Sequence, residues 1–117
     1  MRRWRLEVEA DPSAARIVRR TFEAWLASMD CGEDDWLDAR LALSELVTIA
    51  IRETVEPIVV TATLDHRVLV AVEHYPLLAD GASHRYERLS LMFDTSAVAV
   101  TSETIGVVHR AQITVEC

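Results

Sequence analysis

The sequence predicts one α/β sandwich domain, a mixed sheet of about five strands with about three helices on one face. Three observations lead there. Apolar and polar residues alternate near the N-terminus, the period of a half-buried strand, and β-branched residues cluster after Pro57. Two segments between them repeat their apolar residues at three- and four-residue spacing, the period of an amphipathic helix. The chain has 117 residues, half of them apolar, enough for one core and too few for two ordinary domains. Residues 1–117 are therefore read as a single domain without repeats or linkers.

The first strand is expected over residues 3–9, with Trp4, Leu6 and Val8 on one face and Arg3, Arg5, Glu7 and Glu9 on the other. Asp11-Pro12 supplies an N-cap and a proline at the first helical position. The helix that follows carries Ile17, Val18, Phe22, Trp25 and Leu26, and is expected to end near Asp30-Cys31-Gly32. Glu33-Asp34-Asp35 opens a second helix, its acids favoured by the helix dipole, which runs to about Glu53. Its apolar residues, Leu41, Leu43, Leu46, Val47, Ile49 and Ala50 among them, cover several sides, so it is expected to be central.

Ile58–Leu64 is rich in β-branched residues, Asp65-His66 can turn, and Val68–Val72 reads as the returning strand. His74–Arg85, with Pro76 and Asp80-Gly81, is expected to be a loop of lid or binding type. A short helix is expected near Glu87–Asp94. Val98–Thr101 and His109–Glu116 then form two final strands around a turn at Gly106.

Charge narrows the function. The net charge is −7 and every one of the twelve basic residues is arginine. A domain of that sign has no general attraction for phosphate backbones or anionic lipid, so nucleic acid and membrane are not expected partners. The absence of lysine removes lysine-based catalysis. Cys31 and Cys117 lack any CxxC spacing or histidine partner, and both are expected to be free thiols, with no metal site. No apolar run approaches a membrane span, and a charged start followed by Leu6-Glu7-Val8-Glu9 is unlike a signal core, so a cytoplasmic location is expected.

Leu41-Ala42-Leu43-Ser44-Glu45-Leu46-Val47-Thr48-Ile49-Ala50-Ile51-Arg52-Glu53 resembles the signature helix of bacterial anti-sigma-factor serine kinases, members of the histidine-kinase-like ATPase superfamily with its Bergerat fold. The element order agrees along nearly the whole chain, while the close local match covers about ten residues. The resemblance implies a glutamate acting as general base and, one helical turn on, an asparagine holding Mg²⁺ on the triphosphate. Glu45 falls on the first position and Ile49 on the second. An isoleucine offers no oxygen to a hard cation. Glu53 falls where a histidine is often found.

The second motif of that family is an aspartate that reads the adenine amino group, with a glycine two residues later. His74 and Pro76 occupy those positions. The third is a glycine-rich phosphate cradle, replaced here by Arg88-Leu89-Ser90-Leu91, so that Arg88 and Ser90 bring Cβ atoms where backbone must approach phosphate. Each lost charged hydrogen bond is worth about 1.5–3 kcal/mol, roughly ten- to a hundredfold in affinity. The resemblance thus implies a remnant nucleotide pocket at Glu45, Ile49, His74, Pro76, Arg88 and Ser90, with Glu45 a vestigial base and no cofactor expected. Mg-ATP would be the ligand if the site still works.

Each assignment has a plainer counterpart. Glu45 can be a carboxylate paired with arginine or left in water, His74 a partly exposed loop residue, and Arg88 a solvated helix start. Arg16, Arg19 and Arg20 lie on the polar side of the first helix, where the resemblance implies a docking face for sigma factor, and where an ordinary solvated face is equally compatible. Arg2, Arg3 and Arg5 would extend that basic region. The expected function is a degenerate anti-sigma-type regulator that binds a sigma factor, an anti-sigma antagonist or another signalling protein, with a homodimer open. Its rivals are an active serine/threonine protein kinase, and a binder of a less charged small molecule in the remodelled pocket.

Overall fold

The computed structural model describes residues 2–28, 34–76 and 98–116. Seven elements follow in order: β1 (Arg2–Val8), α1 (Ala14–Ala27), α2 (Asp34–Glu53), β2 (Ile58–Leu64), β3 (Arg67–His74), β4 (Val98–Ile105) and β5 (Val108–Glu116). The strands form one sheet in the order β1-β2-β3-β5-β4. The expected α/β sandwich of five strands is present, with two helices among the described residues. The third helix, expected near 87–94, lies outside them, as do both cysteines and most of the 74–85 loop.

The expectation of a mixed sheet needs one correction, because every pairing among the described residues is antiparallel. The two hairpins, β2-β3 and β4-β5, are antiparallel by construction. It is β5, not β4, that joins β3, from Arg67↔Glu116 to His74↔His109. No parallel neighbours remain in that order.

Alternation decides which face of the sheet is dry. Ile58, Val60 and Ala62 of β2, Val68, Val70 and Val72 of β3, and Ala111, Ile113 and Val115 of β5 are all buried toward the helices. From α2 the residues Ala39, Ala42, Leu43, Leu46, Val47 and Ala50 meet them, which makes this helix the centre of the core as its broad apolar stripe requires. Helix α1 closes one side through Ala14, Val18, Phe22 and Leu26. Phe22, Trp4 and Trp25 form a triangle of rings, with centroids 6.1 Å (Trp4–Phe22), 6.0 Å (Phe22–Trp25) and 6.4 Å (Trp4–Trp25) apart, which ties α1 to β1.

Local chemistry sets the ends. Helix α1 begins at Ala14, two residues later than the Asp11-Pro12 signal suggests. The Asp11 carboxylate instead accepts hydrogen bonds from the backbone N–H and the hydroxyl of Ser13, closing a turn ahead of the helix. The same bonds hold the Asp11 carboxyl below its ordinary range. At the other end α1 stops at Ala27, short of the expected 30–32, where the Ser28 N–H and hydroxyl both bond the Trp25 carbonyl. Arg2 donates to the Ser28 carbonyl at 3.0 Å, so this arginine serves the helix end and not the basic face. Helix α2 ends where the Thr54 hydroxyl accepts from the Glu56 N–H and Pro57 follows. Gly106, at φ +62°, opens the two-residue turn between β4 and β5, and Val107 after it keeps negative φ, the pattern of a type II′ hairpin. Among the described residues no helix is long and apolar enough to cross a membrane.

Candidate functional site

The sector of α2 beside its core stripe carries Glu45, Ile49 and Glu53 at one-turn intervals. Ile49 is buried with the core, 9% exposed. Glu45 is half-buried and makes no hydrogen bond or ion pair with any described residue. Glu53, at the helix end, places Oε2 3.6 Å from Nε2 of His74, and its side chain is only 11% exposed.

His74 closes β3 and is 1% exposed, which overturns the picture of a partly exposed loop histidine. The strand runs two residues beyond the expected Val72, and its alternation carries His74 onto the dry face with Val68, Val70 and Val72. Directly across on β5 lies His109, 4% exposed, its ring centroid 5.2 Å from that of His74 and tilted by 41°. Nδ1 of His74 has no hydrogen-bond partner among the described residues. Burial, reinforced by the charge that His109 would carry, holds His74 down to about 4, and burial lowers His109 as well. At neutral pH both rings are therefore uncharged.

Four of the six residues assigned to the remnant pocket are thus described. Glu45 and Ile49 lie along one side of α2, and His74 and half-buried Pro76 at the exit of β3, with Glu53 against His74 joining the two elements. Arg88 and Ser90 lie outside the described residues. His74, expected from the resemblance at the adenine-reading position, is a buried neutral imidazole. Ile49, expected from the resemblance at the magnesium-ligating position, is apolar and buried. Among the described residues no group of three histidine, cysteine or acidic side chains could hold a metal ion.

Glu53 was set on the signature helix by the resemblance, but its contact with His74 and the place of His109 were not legible. His109 stands 35 positions from His74 and shows no ligand spacing; only the β3-β5 register brings the two rings together. The one available signal was that both fall on the apolar phase of their strands, where a polar residue is out of place.

The proposed docking arginines, Arg16, Arg19 and Arg20, are all exposed on the outward face of α1. Two of them, Arg19 and Arg20, line an open groove of about 620 Å³ between α1 and α2, across from Leu37, Arg40 and Leu41. Glu45 lies on the wall of the same groove. Arg40 is held by Glu23 at 3.6 Å. Arg3 and Arg5 are exposed on β1, where Arg5 lies 4.0 Å from Glu7.

This element order and sheet define an α/β sandwich of the Bergerat type. No model of a known protein family matches the sequence, and no curated protein matches it. The chain is similar in structure to the RsbU and RsbW domains of Rv1364c from Mycobacterium tuberculosis, with a TM-score of 0.75 and 23% sequence identity over 99% of this chain. The match covers 32% of that longer chain, so this chain spans about a third of its length. At that identity the likeness establishes the fold.

Proposed function

We propose that this chain is a regulatory protein-binding domain of the anti-sigma-factor type, one domain over 1–117, whose nucleotide site has lost phosphoryl transfer. It acts in the cytoplasm by holding a sigma factor, an anti-sigma antagonist or another regulator, with Arg16, Arg19 and Arg20 on the docking side. The structural likeness to a chain with an RsbW domain supports the regulatory part. The observation that carries the loss of chemistry is His74, 1% exposed and set against Glu53 at the place of the adenine anchor.

The physical reasoning is direct. A carboxylate at that place would accept from the adenine amino group as a charged acceptor, a strong bond. A neutral imidazole offers one donor and one acceptor at most, and Nε2 already faces Glu53. Ile49 adds no oxygen for magnesium, so Glu45 has no bound triphosphate on which to act as a base.

The reading is tested by phosphate release from Mg-ATP by the purified chain. Release at the level of buffer alone is expected. Release that falls to background in Glu45→Ala would overturn the reading and make the chain an active kinase-type ATPase.

A further inference from the structure

We infer that the edge strand β4 takes up an extended segment of a partner protein as a further strand along residues 101–105, and that this segment carries an arginine or lysine opposite Glu103. The inference rests on the protein-binding half of the reading above and uses neither the arginines of α1 nor the nucleotide pocket.

The sheet has two edges, β1 and β4, and they differ in charge. Strand β1 carries Arg2, Arg3, Arg5 and Glu7 in seven residues, and charged side chains along an edge keep other strands off. Strand β4 carries Glu103 alone in eight residues, with Thr101, Thr104 and Ile105 β-branched, no proline, and an unbroken register on β5. Among the described residues no strand lies beyond it, and residues 101–105 are all exposed. The main chain of an edge strand presents a row of N–H and C=O groups, and bonds to that row are what an added strand gains.

The cross-strand row through Glu103 sets the sign of the partner. Glu73 of β3 and Glu103 of β4 both stand directly opposite Arg110 of β5, one on each side, and Arg110 lies 4.0 Å from Glu73. Signs thus alternate along the row, negative, positive, negative. The row ends at the edge in Glu103, which is exposed and makes no ion pair with any described residue. A basic residue on an added strand continues the alternation, because opposite charges directly across two strands attract and like charges repel. Ile105, two positions on and 54% exposed, lies on the same face as Glu103. An apolar residue of the added strand, two positions from the basic one, meets it there. Strand β4 has no basic residue of its own, so a second copy pairing β4 on β4 leaves Glu103 unmatched on both sides. Pairing of β4 with the basic β1 of a second copy is a head-to-tail contact that grows instead of closing.

The test uses the full chain, isotope-labelled, titrated with two short extended peptides of alternating threonine and valine in which one central valine is replaced by lysine or by glutamate. The lysine peptide is expected to perturb the amides of residues 101–105 and to slow their hydrogen exchange. It is expected to bind about fivefold more tightly than the glutamate peptide. Glu103→Lys is expected to reverse that preference; the position is exposed, and unchanged circular dichroism shows that the fold is kept. Of two lysine peptides N-methylated at alternate residues, on one edge or on the other, one is expected to bind and the other not, the mark of main-chain pairing. Equal affinity for the lysine and glutamate peptides overturns the inference, as do a preference unchanged in Glu103→Lys, perturbations centred on another element, or no binding of the lysine peptide at millimolar concentration. Self-association of the free chain that protects the amides of 101–105 also overturns it, in favour of a second copy. Phosphate release is read on the same samples. ATP turnover together with lysine-peptide binding sinks the proposed loss of chemistry and leaves the edge site standing, whereas no turnover and no peptide binding does the reverse.

Discussion

Lowering the pH from 7 to 4 is expected to cost this domain about 3 kcal/mol of stability through His74 alone, with His109 adding to the loss. The ordinary histidine value of 6.5 applies to the unfolded chain, while burial holds His74 at about 4 in the fold. Above pH 6.5 both states are neutral and His74 contributes no pH dependence. As the pH falls through 6.5 the unfolded chain takes up a proton that folded His74 refuses, and stability drops by about 1.4 kcal/mol per pH unit through this histidine. The decline ends near pH 4, where folded His74 also protonates. Asp11 acts later and with the same sign. Its lowered carboxyl adds stability above 3.8, which is lost only as the pH falls further. Urea unfolding at stepped pH values measures the curve, and His74→Leu is expected to remove the His74 part of the slope between pH 6.5 and 4. A profile that is flat over that range, or unchanged in the variant, would show that the imidazole is not desolvated.

Phe22→Ala is expected to destabilise the domain by about 3–5 kcal/mol, a large part of the 5–15 kcal/mol that holds a typical domain together. Phe22 is fully buried and touches both Trp4 and Trp25, so its removal leaves a void between α1 and β1. The indoles are held by their own strand and helix, and only partial collapse into the void is expected. A fall in melting temperature on the order of 20 °C follows for a domain of this size. Leu37→Ala, at a position 65% exposed, is the internal comparison and should change the melting temperature little. A loss under about 1 kcal/mol for Phe22→Ala would mean that α1 is not anchored through this cluster.

Much of the sandwich was legible because its signals are local. Ile58–Leu64, the turn at Asp65-His66 and the hairpin at Gly106 each lie within a few residues, and a half-buried strand writes its alternation into the sequence. Helix α2 was readable from the breadth of its apolar stripe. The start of α1 was misplaced because Asp11 carries both an N-cap signal and a side-chain turn signal, and the turn to Ser13 won.

The site was only half readable. Glu45 and Ile49 are one turn apart on a helix, so their shared side followed from spacing. The His74–His109 pair depends on which strand joins β3, a contact between distant segments that no window of sequence contains. Arg16, Arg19 and Arg20 were read on the polar side of α1 and are exposed there, whereas Leu41, read as part of a core stripe, is 48% exposed.

The central claim is that the fold has outlived nucleotide binding, and the melting temperature with and without millimolar Mg-ATP tests it most directly. A ligand at a hundred times its Kd stabilises by about 2.7 kcal/mol, a rise on the order of ten degrees here. No rise with Mg-ATP or ADP is expected, because Ile49 offers magnesium no oxygen and His74 is already packed against Glu53. A magnesium-dependent rise of that size would contradict the claim and return Glu45 to the role of a working base.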